Sequence, residues 1–299
     1  MRGSAPADVA AGRALLREAA GGGPPAAVRA EAALIWVEGP DAAGFLQGLL
    51  SNDVAGLAPG AACHALLLDA KGHVLADLRA HRDAADAYTL VIDPAQAEAV
   101  AALLERYHFS EDLDLLGPEP TEVLTVAGAA PAGEPVDLSL PGRVPETVDL
   151  VVGDAGAALA ALGLAEAPAE ALETLRVEAG VPRVGIDTGP TTLVQEAGLE
   201  DTAVSFAKGC YLGQETVARA RYRGRVNRHL RGLRLPALPA AGAAVTRDGK
   251  AIGQVTSAVE SPDHGPIGLA ILRREAEPGD AVEVEGLDAP AQVVELPFR

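Results

Sequence analysis

The C-terminal quarter of the chain carries the pattern that most limits its fold. From about Val226 onward, short runs of alternating apolar residues follow one another closely, such as AAVTRDGKAIGQVTSAVE (243–260) and PIGLAILR (266–273). Turn-forming residues such as Asp248-Gly249 interrupt these runs. Closely spaced short strands with such turns are typical of a small all-β barrel or sandwich. We therefore predict a domain boundary near residue 226 and a separate β-domain at 227–299.

Strand and helix patterns alternate in the preceding region, 31–226. The run AALIWVEG (32–39) predicts a strand, because it is short, apolar and bounded by glycine. The segment 94–109 predicts a helix with one apolar face. A second clear helix, 168–180, should end at Gly180, since glycine is common just after a helix end. This mixture predicts an α+β layer built on an antiparallel sheet.

The N-terminal segment has the composition of a separate arm. Residues 7–20 have helical spacing, and the run Gly21-Gly22-Gly23-Pro24-Pro25 that follows is typical of a linker. No signal-peptide pattern is visible in this segment. We expect residues 1–30 to form a mobile N-terminal arm and linker.

Charge and cysteine content limit the classes of partner and compartment. The formal net charge is −18 and the pI is near 4.7, which opposes general attraction to nucleic acids or anionic membranes. No run of 18 apolar residues occurs, so we expect no membrane span. The two cysteines, Cys63 and Cys210, are a poor disulfide framework for 299 residues. We therefore expect a cytoplasmic protein with free thiols and no direct binding to nucleic acid.

Cys210 lies at the start of the most basic segment of this acidic chain, KGCYLGQETVARAR (208–221). Nearby cations and a helix N-terminus lower the pKa of a thiol and make it reactive. The segment predicts a helical turn that begins at or just after Cys210, with Lys208 and Arg219 as cationic neighbours. The alternative is an inert, buried cysteine in a tight turn. From the spacing alone, both interpretations stay open.

Other combinations of cysteine and histidine do not predict a metal site. Cys63 and His64 are adjacent in a predicted strand, so their side chains should point to opposite faces. The chain has no C-x-x-C pair, and His73 fits an ordinary hairpin residue. A transient iron or cluster ligand at Cys210 stays open, but one cysteine cannot hold a stable cluster alone.

The segment around Cys210 resembles the signature of a known family. The runs KGCYLGQE (208–215), VAR (217–219) and YRG (222–224) look like those of the YgfZ family, which are folate-binding relatives of the glycine-cleavage T-protein, an aminomethyltransferase. The resemblance extends from about residue 31 to the end. It includes the following segments: GPDAAGFLQGLLSNDV (39–54), DAKGHVLADL (69–78), RVEAGVPRVGID (176–187) and GQVTSAVESP (253–262).

This resemblance implies a fold and a function. The fold would be T-protein-like and α+β, with two interleaved units at 31–226 that bind tetrahydrofolate and a C-terminal β-barrel at 227–299 that completes a ring around a central opening. The function would be the assembly or maintenance of iron–sulfur clusters in client enzymes, some of which modify tRNA. Its partners would be folate and iron–sulfur client or assembly proteins. Cys210, with Lys208 beside it, would be the residue on which this activity depends.

The resemblance also implies a folate site. Glu178 of RVEAG would hydrogen-bond the pteridine ring, because a carboxylate can accept two N–H bonds from an amino-pyrimidine edge. The alternative is an ordinary surface glutamate near a helix C-terminus. The other residues that we assign to folate are Arg176 in the same segment, Gln214, Glu215, Arg219 and Arg223 around the cysteine signature, and Asp77 in the hairpin.

One departure from the T-protein pattern bears on enzymatic activity. T-proteins carry two adjacent aspartates after the hairpin glycine, whereas this chain has Ala76 and then Asp77. Asp77 is either a functional carboxylate or a solvent-facing strand residue. Three hypotheses follow: a folate-dependent accessory factor for iron–sulfur proteins, a folate-dependent aminomethyltransferase, and an RNA-binding module. The missing aspartate weighs against the second, and the net acidity and scarce aromatic residues weigh against the third.

Seven arginines after the cysteine signature form a strip that should line the central opening and attract the glutamate tail of folate, with RNA as the rival ligand. The strip consists of Arg219, Arg221, Arg223, Arg225, Arg228, Arg231 and Arg234.

Overall fold

The structure is a computed structural model that describes residues 4–131, 133, 135–224 and 226–299. The side chain of Arg223, and the whole of Arg225, lie outside the described part. None of the described helices is long and apolar enough to cross a membrane.

The larger part of the molecule is an eight-stranded sheet in the order β2-β3-β4-β1-β5-β7-β6, with β8 paired to β1. Its strands are β1 (Ala26–Glu38), β2 (Ala62–Leu68), β3 (Val74–Ala84), β4 (Ala87–Ile92), β5 (Asp114–Ala127), β6 (Leu138–Pro141), β7 (Thr147–Val152) and β8 (Ala165–Glu166). All pairs are antiparallel except β1 with β8. The predicted strand 32–39 is therefore the second half of a longer strand, which begins directly after the linker.

Seven helices are described, and they pack on both faces of the sheet. They are α1 (Pro6–Ala20), α2 (Ala42–Leu49), α3 (Pro94–Tyr107), α4 (Ala155–Leu162), α5 (Ala169–Ala179), α6 (Glu200–Ala203) and α7 (Gln214–Arg223). Helices α2 and α3 lie on one face, and α6 and α7 lie on the other at β2. Leu46 of α2 and Leu104 of α3 pack with Leu78 of β3 in one buried core. Asp93 caps α3 by accepting a hydrogen bond from the Ala95 N–H. Helix α5 ends as predicted at Gly180, which has a φ of 71°.

The C-terminal part is a closed six-stranded barrel in the order β10-β11-β12-β9-β14-β13. Its strands are β9 (Arg228–Arg234), β10 (Ala244–Arg247), β11 (Lys250–Ser261), β12 (Gly265–Arg273), β13 (Ala281–Val284) and β14 (Ala291–Val294). Alternate residues such as Leu233, Val245 and Val293 are fully buried inside it. The predicted fold class, α+β with a C-terminal β-barrel, is confirmed. The division of the chain at residues 30 and 226 stays a prediction.

The N-terminal segment differs from the expected mobile arm. Helix α1 packs along α5, and its Leu16 and Ala19 are buried against Ala167 and Ala171. The two helices are so close at Gly12 that an added Cβ would lie 2.5 Å from Cδ of Pro168. Residues 7–20 are helical, as their spacing predicts, but the apolar face of this helix has a partner in the folded domain.

Candidate functional site

Glu178, the predicted folate ligand, lies in the last turn of α5 and is only 4% exposed. Its Oε1 accepts hydrogen bonds from Arg13 Nε at 2.8 Å and from Ser261 Oγ at 2.6 Å. Its Oε2 accepts one from Arg17 Nη2 at 2.8 Å. Both carboxylate oxygens are therefore occupied by α1 and by the end of β11, which excludes the alternative of an ordinary surface glutamate.

Asp263, in the turn after β11, completes this group of charges. Its Oδ2 accepts hydrogen bonds from Nη2 of Arg13 and from Nη1 of Arg17, the latter at 2.7 Å. The hydrogen bond and charge of Arg13 lower the pKa of Asp263. Burial alone would lower the pKa of Arg13, but its bonds to Asp263 and Glu178 raise it. We call these four charged residues, Arg13, Arg17, Glu178 and Asp263, the α1 latch.

Arg176, two residues earlier on α5, is also fully occupied by internal contacts. Its N–H groups donate to two oxygens of Glu173, to the Val181 carbonyl, to Asp187 and to Ser257 Oγ. These contacts join α5 to β11 and to the loop that follows α5. The geometry thus makes Arg176 a structural hub, and its role as a folate ligand stays a prediction.

Asp77 on β3 is 7% exposed, which rules out the solvent-facing interpretation. Arg79 Nη1 donates to its Oδ1 at 3.1 Å. His64 Nε2 lies 3.1 Å from the same oxygen, without the geometry of a hydrogen bond. Burial alone would raise the pKa of Asp77, but His64 and the charges of Arg143 and Arg79 outweigh it and hold the pKa at about 2. Ala76 points the other way, into the apolar core under α2 and α3.

Lys208 holds the end of α2. Its ammonium donates to the carbonyls of Gln47, Leu50 and Asn52 at 2.7, 2.5 and 2.9 Å, which satisfies acceptors that the helix end leaves open. It also lies 4.9 Å from the centre of the Tyr211 ring. Burial lowers the pKa of Lys208 to about 8.

The two cysteines have opposite surroundings. Cys63 packs at the edge of the main core, and burial raises its pKa to about 11, although the charge of Lys208 opposes this shift. Cys210 is exposed, in the loop before α7. The charge of Lys208 therefore affects the pKa of Cys63. For Cys210, the hydrogen bonds of Lys208 to the end of α2 fix the position of the loop that carries the thiol.

The prediction that a helix begins at or just after Cys210 is wrong. Helix α7 begins at Gln214, because Gly213 adopts a φ of 84° that keeps the preceding residues out of the helix. A Cβ on Gly213 would lie 2.6 Å from the Asp69 carbonyl oxygen, and one on Gly72 would lie 2.9 Å from Cβ of Thr216. The segment after Cys210 is thus packed closely against the turn between β2 and β3. Asp77 lies on β3, the strand that follows this turn.

The polar residues of α7 point largely to solvent. Gln214 is half-buried, and Glu215 pairs with Arg219 one turn later, where both side chains are exposed. Arg221 lies 3.5 Å from Glu200 and stacks on the Phe206 ring at 4.1 Å. The predicted ligand Arg223 lies, with its side chain, outside the described residues.

Three arginines of the strip, Arg219, Arg221 and Arg228, have acidic partners in the described structure. Arg228 donates to both oxygens of Glu196, at 3.0 and 2.9 Å, in addition to the pairs made by Arg219 and Arg221. These pairs reduce the free positive charge available to an anion. That the strip lines a central opening stays a prediction.

Two cavities in the described structure are lined in part by arginines of the strip and their acidic partners, and neither is lined by Glu178, Asp77 or Cys210. One of about 510 Å³ is lined by Glu196, Arg228 and Arg273, among others. The other, of about 330 Å³, lies beside α7 and is lined by Gln195, Glu200 and His229, among others. Within the described residues, no group of three or more His, Cys, Asp and Glu side chains could hold a metal ion.

Comparison with known proteins identifies the fold and family. Residues 30–130 match the GCVT N-terminal domain, and residues 228–299 match the glycine cleavage T-protein C-terminal barrel domain. An aminomethyltransferase of Streptomyces avermitilis is 30% identical over 309 residues, which cover 88% of this chain and 83% of that protein. The chain belongs to the glycine-cleavage T-protein-like superfamily.

Further members of this superfamily agree. An aminomethyltransferase of Rubrobacter xylanophilus is 31% identical over 303 residues, covering 87% of this chain and 79% of that protein. The crystal structure of glycine cleavage system aminomethyltransferase T from Bartonella henselae has a TM-score of 0.83 at 24% identity, covering 100% of this chain and 91% of that one. This structural likeness supports the T-protein-like fold, and membership of the YgfZ branch stays a prediction.

Several site residues were missed from the sequence. Arg13 and Arg17 lie in the segment that the sequence predicts to be a mobile arm, although basic residues on an amphipathic helix are a signal for acidic partners. Asp187 is 1% exposed and accepts bonds from Arg176, the Arg183 N–H and two barrel hydroxyls. Its position at the end of RVEAGVPRVGID was the only available signal.

Proposed function

We propose that this T-protein-like protein binds a reduced folate and serves, as in the YgfZ branch, as an accessory protein in iron–sulfur cluster maintenance that works through Cys210. The single observation that carries the proposal is the contrast in exposure between the two candidate functional side chains, Cys210 and Asp77. Cys210 of the KGCYLGQE signature is exposed on a loop fixed by Lys208. Asp77, the carboxylate that T-protein chemistry would use, is buried and paired with Arg79.

The state of Asp77 argues against aminomethyl transfer. A general base works best when its pKa lies near the working pH. With a pKa of about 2 and a charged arginine bonded to it, Asp77 has little tendency to accept a proton near pH 7. Ala76 provides no second carboxylate and faces the apolar core. These features support an accessory role over a classical transferase.

Glu178 has the chemistry for a folate. Its two carboxylate oxygens already accept N–H bonds from two guanidinium groups, which supports a role in binding planar N–H donors. The amino-pyrimidine edge of a pterin offers donors of the same kind. When bound, tetrahydrofolate would supply one-carbon chemistry, and the role of Glu178 would be to bind and orient its ring.

Aminomethyl transfer is a second candidate, because the relatives reported above are named aminomethyltransferases. It predicts tetrahydrofolate-dependent release of ammonia from an aminomethyl-lipoyl carrier protein. Measurable turnover in that assay, lost in Asp77→Asn, would favour this function over the accessory role.

The accessory role is tested in cells that lack the protein. Iron–sulfur enzyme activities should fall in these cells and recover with the wild-type chain. Cys210→Ser should not restore them, although it folds normally, whereas the matched control Cys63→Ser should. Full rescue by Cys210→Ser, or normal activities in the deletion strain, would overturn the proposal.

Folate binding is tested by calorimetry with formyl-tetrahydrofolate. Glu178→Gln should weaken binding by about tenfold or more, since a charged hydrogen-bond partner contributes roughly 1.5–3 kcal/mol. Equal affinity of the variant and the wild type would remove Glu178 from the site.

A further inference from the structure

The α1 latch closes the carboxylate that the proposed function assigns to folate. The side chain of Glu178 is 5% exposed, and that of Arg13, which lies over it, is also 5% exposed. Ser261, the third partner, is 2% exposed. A ligand of pterin size cannot reach Glu178 while these contacts hold, because no accessible face of the carboxylate remains.

We infer that α1 is an internal cover of the folate site, and that a folate gains Glu178 only by displacing Arg13 and Arg17. This inference rests on the proposed folate binding, and it adds that α1 regulates the access of folate to Glu178. The closed state is one in which the chain's own guanidinium groups take the place of the ligand.

Competition follows from the donors that the two occupants share. A guanidinium group presents N–H donors in one plane, and these bind carboxylates in a fixed geometry. The amino-pyrimidine edge of a pterin also presents adjacent N–H donors in one plane. Oε1 of Glu178 already serves both Arg13 and Ser261, so its acceptor capacity cannot accommodate a ligand as well.

Two features of the structure would allow α1 to leave. The helix is joined to β1 by the run 21–25, in which Gly22 adopts a φ of 97° with open space around it. Half of the latch is weakly held, since the side chains of Arg17 and Asp263 are each 47% exposed and compete with water and salt. The two matched family regions begin at residues 30 and 228, so α1 lies outside both.

A closed majority state lowers apparent affinity. The measured Kd equals the intrinsic Kd divided by the fraction of molecules in the open state. Variants that loosen α1 without changing Glu178 should therefore bind folate more tightly than the wild type. This sign is opposite to that expected if α1 formed part of the folate site.

Gly12→Ala loosens α1 without removing any polar atom. The new Cβ would lie 2.5 Å from Pro168 Cδ and 3.2 Å from Ala171 Cβ, so the two helices must separate. Alanine favours the helix itself more than glycine does, by about 1 kcal/mol. The matched control is Gly44→Ala on α2, where an added Cβ meets nothing within 4 Å. Asp263→Asn is a second loosening variant, because it removes the charge that Arg13 and Arg17 share at a half-exposed site.

The experiment combines calorimetry with hydrogen exchange of residues 6–20, using formyl-tetrahydrofolate as the probe. Gly12→Ala and Asp263→Asn should each lower the Kd by about tenfold if roughly a tenth of wild-type molecules are open. Gly44→Ala should bind like the wild type. In the wild type, saturating folate should speed exchange in α1 while it slows exchange in α5.

Two other results would overturn the inference, and they are distinguishable. If the wild type and both loosened variants bind with equal Kd, and folate does not change exchange in α1, then α1 does not cover the folate site. The proposed folate binding itself would still stand. If no variant binds the probe at millimolar concentration, the proposed folate function fails and the inference fails with it.

Discussion

Helices α5 and α7 carry most of the predicted site residues, but among those that the structure describes, the charged side chains are buried on α5 and exposed on α7. On α5, Arg176 and Glu178 are buried, and their charged groups are taken up by α1, β11 and the following loop. On α7, Glu215 and Arg219 pair with each other in solvent. The exposed Cys210 lies just before α7.

The charges of α5 therefore hold buried parts of the fold together, whereas those of α7 form an exposed surface. Buried charges need every partner in place, so the α5 region resists change and has to be opened before it can bind a ligand. Exposed charges contribute little to stability, and their side chains are available to a partner. The carboxylate proposed to bind folate thus lies on the closed side, and the exposed thiol of Cys210 lies on the open side.

The largest effect should come from Arg176→Ala. Its loss leaves Asp187 buried without its charged partner, which typically costs about 3–5 kcal/mol in the free energy of unfolding. Urea denaturation measures this cost. The matched control is Arg29→Ala, which removes an exposed pair with Glu166 and should change stability by less than about 1 kcal/mol. Similar costs for the two variants would show that Arg176 stabilises the fold no more than an exposed arginine does.

Asp77→Asn should have an intermediate effect with a defined pH dependence. The pKa of Asp77 is lowered from 3.8 to about 2, so its stabilisation is fully present above about pH 4 and is lost as the pH falls through 2. The lowered pKa corresponds to about 2 kcal/mol, which the variant should lose near pH 7. The difference between wild type and variant should shrink between pH 4 and pH 2. A difference that is constant with pH would show that Asp77 is not held as an ion pair.

The smallest effect should come from Glu215→Ala. An exposed pair one helical turn apart contributes only about 0.3–0.5 kcal/mol, and high salt weakens it further. Urea denaturation at low and high salt should show a small loss that disappears at high salt. A loss above about 1 kcal/mol would mean that the charges of α7 stabilise the fold as strongly as those of α5.

The sequence predicted features that depend on local patterns. The barrel strands follow from alternation and turns, and the end of α5 follows from Gly180 alone. The α1 latch joins Arg13 to Glu178, which are 165 positions apart, and no local pattern encodes that contact. The start of α7 was misplaced because the left-handed conformation of Gly213 depends on its packing against the Asp69 carbonyl.

The most direct test of the account is performed on the ligand-free protein, with hydrogen exchange and thiol labelling in one sample. The α1 amides that close helical hydrogen bonds should exchange about tenfold more slowly than in an unfolded chain if roughly a tenth of the molecules are open, although residues 1–30 look like an arm in the sequence. At pH 8, Cys210 should be labelled first, while Cys63 should react slowly and accelerate as the pH rises toward its pKa of about 11. Exchange of α1 at unfolded-chain rates, together with equal labelling of both thiols, would contradict the contrast between a closed carboxylate and an open thiol.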